Sequence, residues 1–379
     1  MAFDGIVAKS ILSEFTPLIS GKIDKIHEPD RNTIILGIYS QGKNYSLNIC
    51  IDARNCRINL TTHSRVNPLV APNFCMLLRK HLIGGRISKI SMLELERIIN
   101  IEIETINEFN EIEIKTLIVE LMGKHSNLIL TNNKNIIIDA MRHINSEYSY
   151  RELLPSRHYT LPNSDKFDFL ALNNFEDFYQ KFADTQFTEL SKTIIKTFTG
   201  FSLSFVESAI NKAGISDCSQ SELQKLYNYF CDIIKKQKPL TFEPVYKNDK
   251  ISDYVLTINY SSESSNLNHF LDDFYSERET VETFTNYRNT LLKLILEVLK
   301  KYNSRLISIN SKLKECDEMD KYKLYGELIT ANLYRLQNTH SSCIELENYY
   351  DNNNLLSIPL DLKYSPSTNA KRYFKNIQN

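Results

Sequence analysis

Ile101-Glu102-Ile103-Glu104 and Ile112-Glu113-Ile114-Lys115 alternate apolar and charged residues on either side of the turn-forming stretch Asn107-Glu108-Phe109-Asn110-Glu111. Successive side chains of a strand point to opposite faces, so a period of two predicts a β-hairpin. Ile101, Ile103, Ile112 and Ile114 are expected on one apolar face, with the charges on the other. Residues 117–121 and 128–131 continue the sheet, and Asn132-Asn133 marks its next turn. Upstream, residues 33–39, 45–51 and 56–61 have strand composition, bounded by Gln41-Gly42-Lys43-Asn44 and Ala53-Arg54-Asn55. An amphipathic helix is predicted over 6–18, where Ile6, Leu12, Phe15 and Leu18 share a face. A second is predicted over 73–82, stopped by Gly84-Gly85. Residues 1–165 therefore read as one α+β domain.

Beyond residue 166 the period becomes helical. Residues 194–204 look like two helices joined at Gly200, a helix–hairpin–helix able to aim backbone N–H groups at phosphate. One glycine replaces the usual pair, and an ordinary αα-hairpin fits the pattern about as well. The all-α domain is placed at 166–245, followed at 246–279 by a connecting segment with short strands; residues 243–260 suit a strand pair. Leu292, Ile295, Leu299, Tyr302, Leu306, Ile309 and Leu313 then follow alternating spacings of three and four, the seam of a coiled coil. Lys293, Lys300, Lys301, Arg305 and Lys312 decorate its other faces. Residues 280–379 read as the first half of a coiled-coil domain, with 321–336 a separate short helix. Its seam calls for a partner helix, from a second copy or another polypeptide.

At 379 residues, with 42% hydrophobic and 24% charged, the chain has the balance of a soluble protein of two or three domains. Its formal net charge of −1 means that any nucleic-acid surface must come from local clusters of Lys and Arg. Seven scattered cysteines without a CxxC pair argue against a disulfide framework and a zinc site. No signal peptide or membrane span is visible, so a cytoplasmic protein is expected, with no cofactor and no metal. Residues 73–81 and 119–127 combine apolar anchors with dense polar or cationic ends, whereas no nucleophile–base constellation stands out. That contrast suits a protein that grips something charged, not an enzyme.

Taken together, several pieces resemble the NFACT family of ribosome-quality-control factors, called RqcH in bacteria and NEMF in animals. They are Phe3-Asp4-Gly5, residues 21–27, 74–81 and 120–127, and Ile138-Asp139-Ala140. Leu271-Asp272-Asp273-Phe274-Tyr275, Tyr325-Gly326-Glu327-Leu328, Ile358-Pro359-Leu360-Asp361 and Asn369-Ala370 follow in the family's order. The resemblance implies an N-terminal domain similar to that of formamidopyrimidine-DNA glycosylase, then a helix–hairpin–helix domain and a coiled-coil arm. It also implies binding to a large (50S) ribosomal subunit that carries stalled peptidyl-tRNA, and recruitment of alanyl-tRNA for template-free alanine tailing. The family's Asp-Arg pair, used in tRNA engagement, corresponds to Glu96-Arg97, which puts the carboxylate one methylene further out. Glu120, Leu121 and Met122 would belong to the tRNA-facing edge, although Leu121 fits a core position equally well. Arg79, Lys80, Lys124 and His125 are candidate RNA contacts.

Each has a plainer reading. Cations ending a helix are favoured by its dipole by roughly 0.3–1 kcal/mol, and a histidine in a turn is more often a hydrogen-bond donor than a ligand. Glu96-Arg97 alone would pass for a solvated pair near a strand start. The family's C-terminal NFACT-R domain has no counterpart in the sequence, which reads as shortened before it. Because bacterial members are also described as fibronectin-binding proteins, a surface adhesin is the alternative. A glycosylase is not expected, since Met1-Ala2-Phe3 lacks the N-terminal Pro-Glu that such enzymes use.

Overall fold

The computed structural model describes residues 3–145, 151–235, 238–247, 250–259, 266–337 and 339–378. The fold is mixed α/β, built on a nine-stranded antiparallel sheet. In chain order its strands are β1 (Lys22–Asp30), β2 (Thr33–Ser40), β3 (Lys43–Cys50), β4 (Arg57–Leu60), β5 (Arg86–Met92), β6 (Ile98–Ile106), β7 (Ile112–Glu120), β8 (Asn127–Thr131) and β9 (Ile137–Ala140). They lie side by side as β4-β3-β2-β1-β5-β6-β7-β8-β9. The first helix, α1 (Gly5–Leu12), tightens into a 3-10 turn over Ser13–Leu18, and α2 spans Asn73–Leu82 as predicted. Ile6, Ile11, Phe15, Leu18, Phe74 and Leu78 join the sheet's inner residues in one core.

The hairpin forms where predicted, but its register differs from the expectation. Ile103 pairs with Lys115, Glu104 with Ile114 and Ile106 with Ile112. Ile101 and Ile103 are fully buried, while Ile112 and Ile114 lie on the opposite face, 76% and 40% exposed. The five-residue turn, with Asn110 at φ 62°, fixes the pairing, and a shift of one residue sends every side chain to the other face. Lys115 consequently points inward, where Thr105 Oγ1 (3.2 Å) and Glu113 (3.0 Å) hold its ammonium. At the other end of the outer face, Ile98, Ile118, Ile129 and Ile137 are covered by Leu153 and Tyr159.

Helices α3 (Phe175–Phe182), α4 (Phe187–Thr197), α5 (Leu203–Ala213) and α6 (Gln220–Ile234) follow. They close around Phe169, whose ring meets Phe198 edge-on at 5.5 Å and Phe230 at 5.8 Å. Strands β10 (Leu240–Lys247) and β11 (Lys250–Ile258) form the expected pair. The next helix, α7, runs unbroken from Leu267 to Ala331 and absorbs most of the segment predicted as a separate helix. Its first turns are tied to the sheet. Asp272 accepts from Thr62 N (2.8 Å) and Asn59 (3.2 Å), Glu14 accepts from Asn268, and the Arg57 guanidinium lies 4.4 Å over the Tyr275 ring.

The chain divides into two compact units, Met1–Thr280 and Val281–Asn379. Within the second, the predicted seam residues from Leu292 to Leu313 are exposed, and no helix covers them among the described residues. A hairpin of β12 (Cys343–Asn348) and β13 (Asn354–Pro359), with α8 (Pro366–Gln378), was not foreseen from sequence. These elements bury Leu328, Ile329, Ile358 and Ala370 as a small core of their own.

Candidate nucleic-acid interface

Three chain segments that are far apart in sequence meet beside Glu96-Arg97. The first starts at Asp4, which caps α1: its Oδ1 accepts from Ile6 N (3.1 Å) and Val7 N (2.9 Å). The second contains Ser202, the cap of α5, which accepts from Phe205 N and donates to Asp4 Oδ2 at 2.6 Å. One hydrogen-bonded pair of caps therefore starts both helices. Gly5 N donates to Gly200 O at 3.0 Å, and Leu95, in the third segment, presses against both glycines. A Cβ on Gly5 would stand 2.0 Å from Leu95 O, and one on Gly200, at φ +77°, would stand 2.4 Å from it. No larger residue fits at either position.

Residues 93–97 connect β5 to β6, so Glu96-Arg97 lie in a turn and not in a strand. Glu96 Oε1 accepts from Thr199 Oγ1 at 2.8 Å, and Arg97 O accepts from Leu121 N at 2.9 Å. Both side chains are half-buried at a cavity of about 300 Å³, also lined by Asp4, Ser164, Lys166 and Thr199–Leu203. Burial pushes the Asp4 carboxyl up to about 6, against the opposing pull of the Ser202 hydrogen bond and the Arg97 charge. Lys166 extends to Ile195 O (2.7 Å) near the end of α4. The cavity thus presents the Arg97 guanidinium and the Lys166 ammonium beside the Asp4 and Glu96 carboxylates, and the two cations are donors suited to phosphate or sugar oxygens.

The other candidates divide. Glu120 is fully buried and grips Arg151 through both oxygens (2.8 and 2.6 Å), with Tyr159 OH donating at 2.7 Å. Burial and the Glu120 carboxylate hold the Tyr159 phenol protonated. Leu121 is buried in the main core, and Met122 packs against the outer-face cluster. The side chains of Glu120 and Leu121 thus face the interior, while their backbone supports the turn of Arg97. Lys124 and His125 are exposed in a 3-10 turn between β7 and β8. Because Ile98 pairs with Glu120, and Glu120 with Asn127, this turn sits at the same end of the sheet as Glu96-Arg97. Arg79 and Lys80 are not brought there. Arg79 Nε donates to Ile26 O (2.8 Å), Lys80 is exposed, and His81 in the same turn of α2 feels the charge of Lys115, toward the hairpin's other end.

Asp4, Thr199, Ser202 and Lys166 were missed as site residues from sequence. Asp4 before Gly5 and Ser202 before a helical run are legible as caps, but their hydrogen bond spans almost two hundred positions and carries no local signal. Among the described residues, no group of three or more His, Cys, Asp or Glu side chains is placed to hold a metal, and no helix is long and apolar enough to cross a membrane.

Residues 4–379 match the model of the NFACT N-terminal and middle domains. The whole chain aligns at 32% identity with the Rqc2 homolog RqcH of Bacillus subtilis, covering 67% of that protein. With the Rqc2 homolog RqcH of Streptococcus suis it shares 29% identity over 66% of that protein's length. The chain thus spans about two thirds of these relatives. Among solved structures, the N-terminal part of the fibronectin/fibrinogen-binding protein of Streptococcus suis superposes with a TM-score of 0.60 at 26% identity, over 73% of this chain and all of the other. The fibrinogen-binding protein of Staphylococcus aureus gives 0.58, also at 26% identity, over 73% of this chain and 99% of the other. With nearly every residue inside the family match, the chain belongs to the NFACT family.

Proposed function

We propose that this protein is an RqcH-like ribosome-quality-control factor. It binds the large (50S) subunit carrying stalled peptidyl-tRNA and recruits alanyl-tRNA for template-free C-terminal alanine tailing of the nascent chain. The observation that carries the reading is the setting of Glu96-Arg97, in the place of the family's tRNA-engaging Asp-Arg pair. Thr199 orients the carboxylate, and the guanidinium borders a cavity floored by Asp4 and Ser202. Arg offers planar, permanently charged recognition of phosphate, and Lys124 and His125 add donors at the same end of the sheet. The protein itself is not an enzyme: it positions tRNA, and peptidyl transfer belongs to the ribosome. Sucrose-gradient sedimentation with purified 50S subunits, followed by sequencing of bound tRNA, tests this. Co-sedimentation with enriched alanine tRNA is expected; a chain that stays at the top of the gradient with and without tRNA overturns it.

The names of the two structural neighbours favour a second reading, a surface adhesin for fibronectin or fibrinogen. Biotinylation of intact cells separates the two, because only an adhesin labels strongly.

A further inference from the structure

The register of the β6–β7 hairpin leaves its outer half apolar and uncovered. Ile106 is 72% exposed, Phe109 82% and Ile112 76%, with Ile114 beside them at 40%. Soluble proteins rarely leave four such side chains together without a use for them. This tip is also built to hold its shape. Asn107 Oδ1 accepts from Phe109 N and Glu111 N, both at 2.9 Å, and its Nδ2 donates to Glu111 at 3.0 Å.

The hairpin overhangs its neighbours. On one side β8 ends at Thr131, opposite Thr116, so among the described residues no strand lies along β7 from Ile112 to Lys115. The exposed edge of a strand is a template for another extended chain. Charge selects which chain. Between positions 102 and 115 there are five glutamates (102, 104, 108, 111 and 113) and one lysine. Lys115 pairs with Glu113 and Lys89 of β5 with Glu102, which leaves the net charge of the tip to Glu104, Glu108 and Glu111. Such a field repels nucleic-acid phosphate and anionic lipid and attracts Lys and Arg.

We propose that the edge of β7 over residues 112–115, with Phe109, is a docking site for an extended basic segment of a partner protein, which adds to the sheet as a further strand. Alternation then dictates the ligand. Its apolar residues lie beside Ile112 and Ile114 on the outer face, and its basic residues lie beside Glu111 and Glu113 on the other. The site is at the opposite end of the hairpin from Glu96-Arg97, and the proposal does not depend on the tRNA reading.

The chain contains no tryptophan, so Phe109→Trp in the full chain installs a single fluorescent reporter at the tip. The probe is a Trp-free synthetic peptide of alternating isoleucine and lysine. A saturating blue shift is expected, weakened at least about tenfold when the peptide is N-methylated at alternate residues or when Ile112→Thr and Ile114→Thr are added. Both positions are exposed and threonine suits a strand, so these variants keep the fold, as an unchanged thermal transition would verify. A reporter that stays solvent-exposed with the lysine peptide overturns the proposal. So does an equal response to a glutamate counterpart, to the N-methylated peptide, or to tRNA.

Discussion

Arg97 carries its charge beside a carboxylate that burial has driven toward neutrality, and this pairing gives the site two separate readouts. On the binding side, Arg97→Ala should weaken tRNA binding by about 1.5–3 kcal/mol, the usual worth of a charge-assisted contact. It should also flatten the salt dependence, because each lost phosphate contact removes about 0.7–0.9 from the logarithmic slope. Filter binding across a salt series measures both, and identical curves for wild type and variant would remove Arg97 from the site. On the stability side, Asp4 rises from the usual 3.8 to about 6 on folding. The folded state therefore holds the proton more tightly between these values. Its contribution is fully present below pH 3.8 and is lost as pH rises through 6. Asp4→Asn keeps the helix cap and should remove that slope from urea titrations run between pH 4 and 7; a variant with the wild-type slope would refute the assignment. Glu96, which on its local sequence alone would pass for one half of a solvated surface pair, is held by Thr199 across the fold. That partner was invisible because nothing local distinguishes Thr199 from its neighbours.

Single elements were largely legible, because periodicity and caps are local. The bounds of α2, the strands β2 to β4, the run from β6 to β8 and the β10–β11 pair follow from alternation and turn residues, whereas β1 and β5, which join the two halves of the sheet, were not read from sequence. What periodicity does not supply is register. Ile112 and Ile114 alternate as well as Ile101 and Ile103, yet the turn alone decides which pair faces the core. The long helix poses the complementary problem. Its apolar seam was readable, but its partner was not, and Leu299 and Leu306 are 52% and 58% exposed. Burying one such leucine contributes roughly 1.5–3 kcal/mol, so a second helix with a matching stripe, from another copy or another polypeptide, would be strongly favoured. Sedimentation equilibrium should show concentration-dependent self-association that Leu299→Lys and Leu306→Lys abolish. A wild type that is monomeric at every concentration, alone and with candidate partners, argues against a coiled-coil role for the seam.

Across the whole molecule, the sequence pieces shared with the family turn out to be of two kinds. Some build the site: Asp4 and Gly5 lock onto Ser202 and Gly200. Others hold the units together internally. Asp272 ties the start of α7 to residues 59–62, and Gly326 lets the Phe374 ring lie where a Cβ would come within 2.8 Å of it. Asn369 closes the turn after β13, accepting from Asp361 N and donating to the carbonyl oxygens of Asp361 and Tyr364. The sequence signals for these residues were specific, but their purposes were not readable before the contacts were seen. Since each unit has its own core, with no buried residue shared between the two clusters, each should unfold as its own cooperative body. Calorimetry should then resolve two transitions. Asp272→Ala removes one of the two acceptors of the buried Asn59 Nδ2 and the acceptor of the exposed Thr62 N, and should lower only the larger transition, by about 1–3 kcal/mol. Gly326→Val forces Phe374 off its seat and should lower only the smaller one, by about 1–3 kcal/mol, as overpacking does. A single transition moved equally by both substitutions would mean that the two cores fold as one, and the division at residue 280 would then have no thermodynamic meaning.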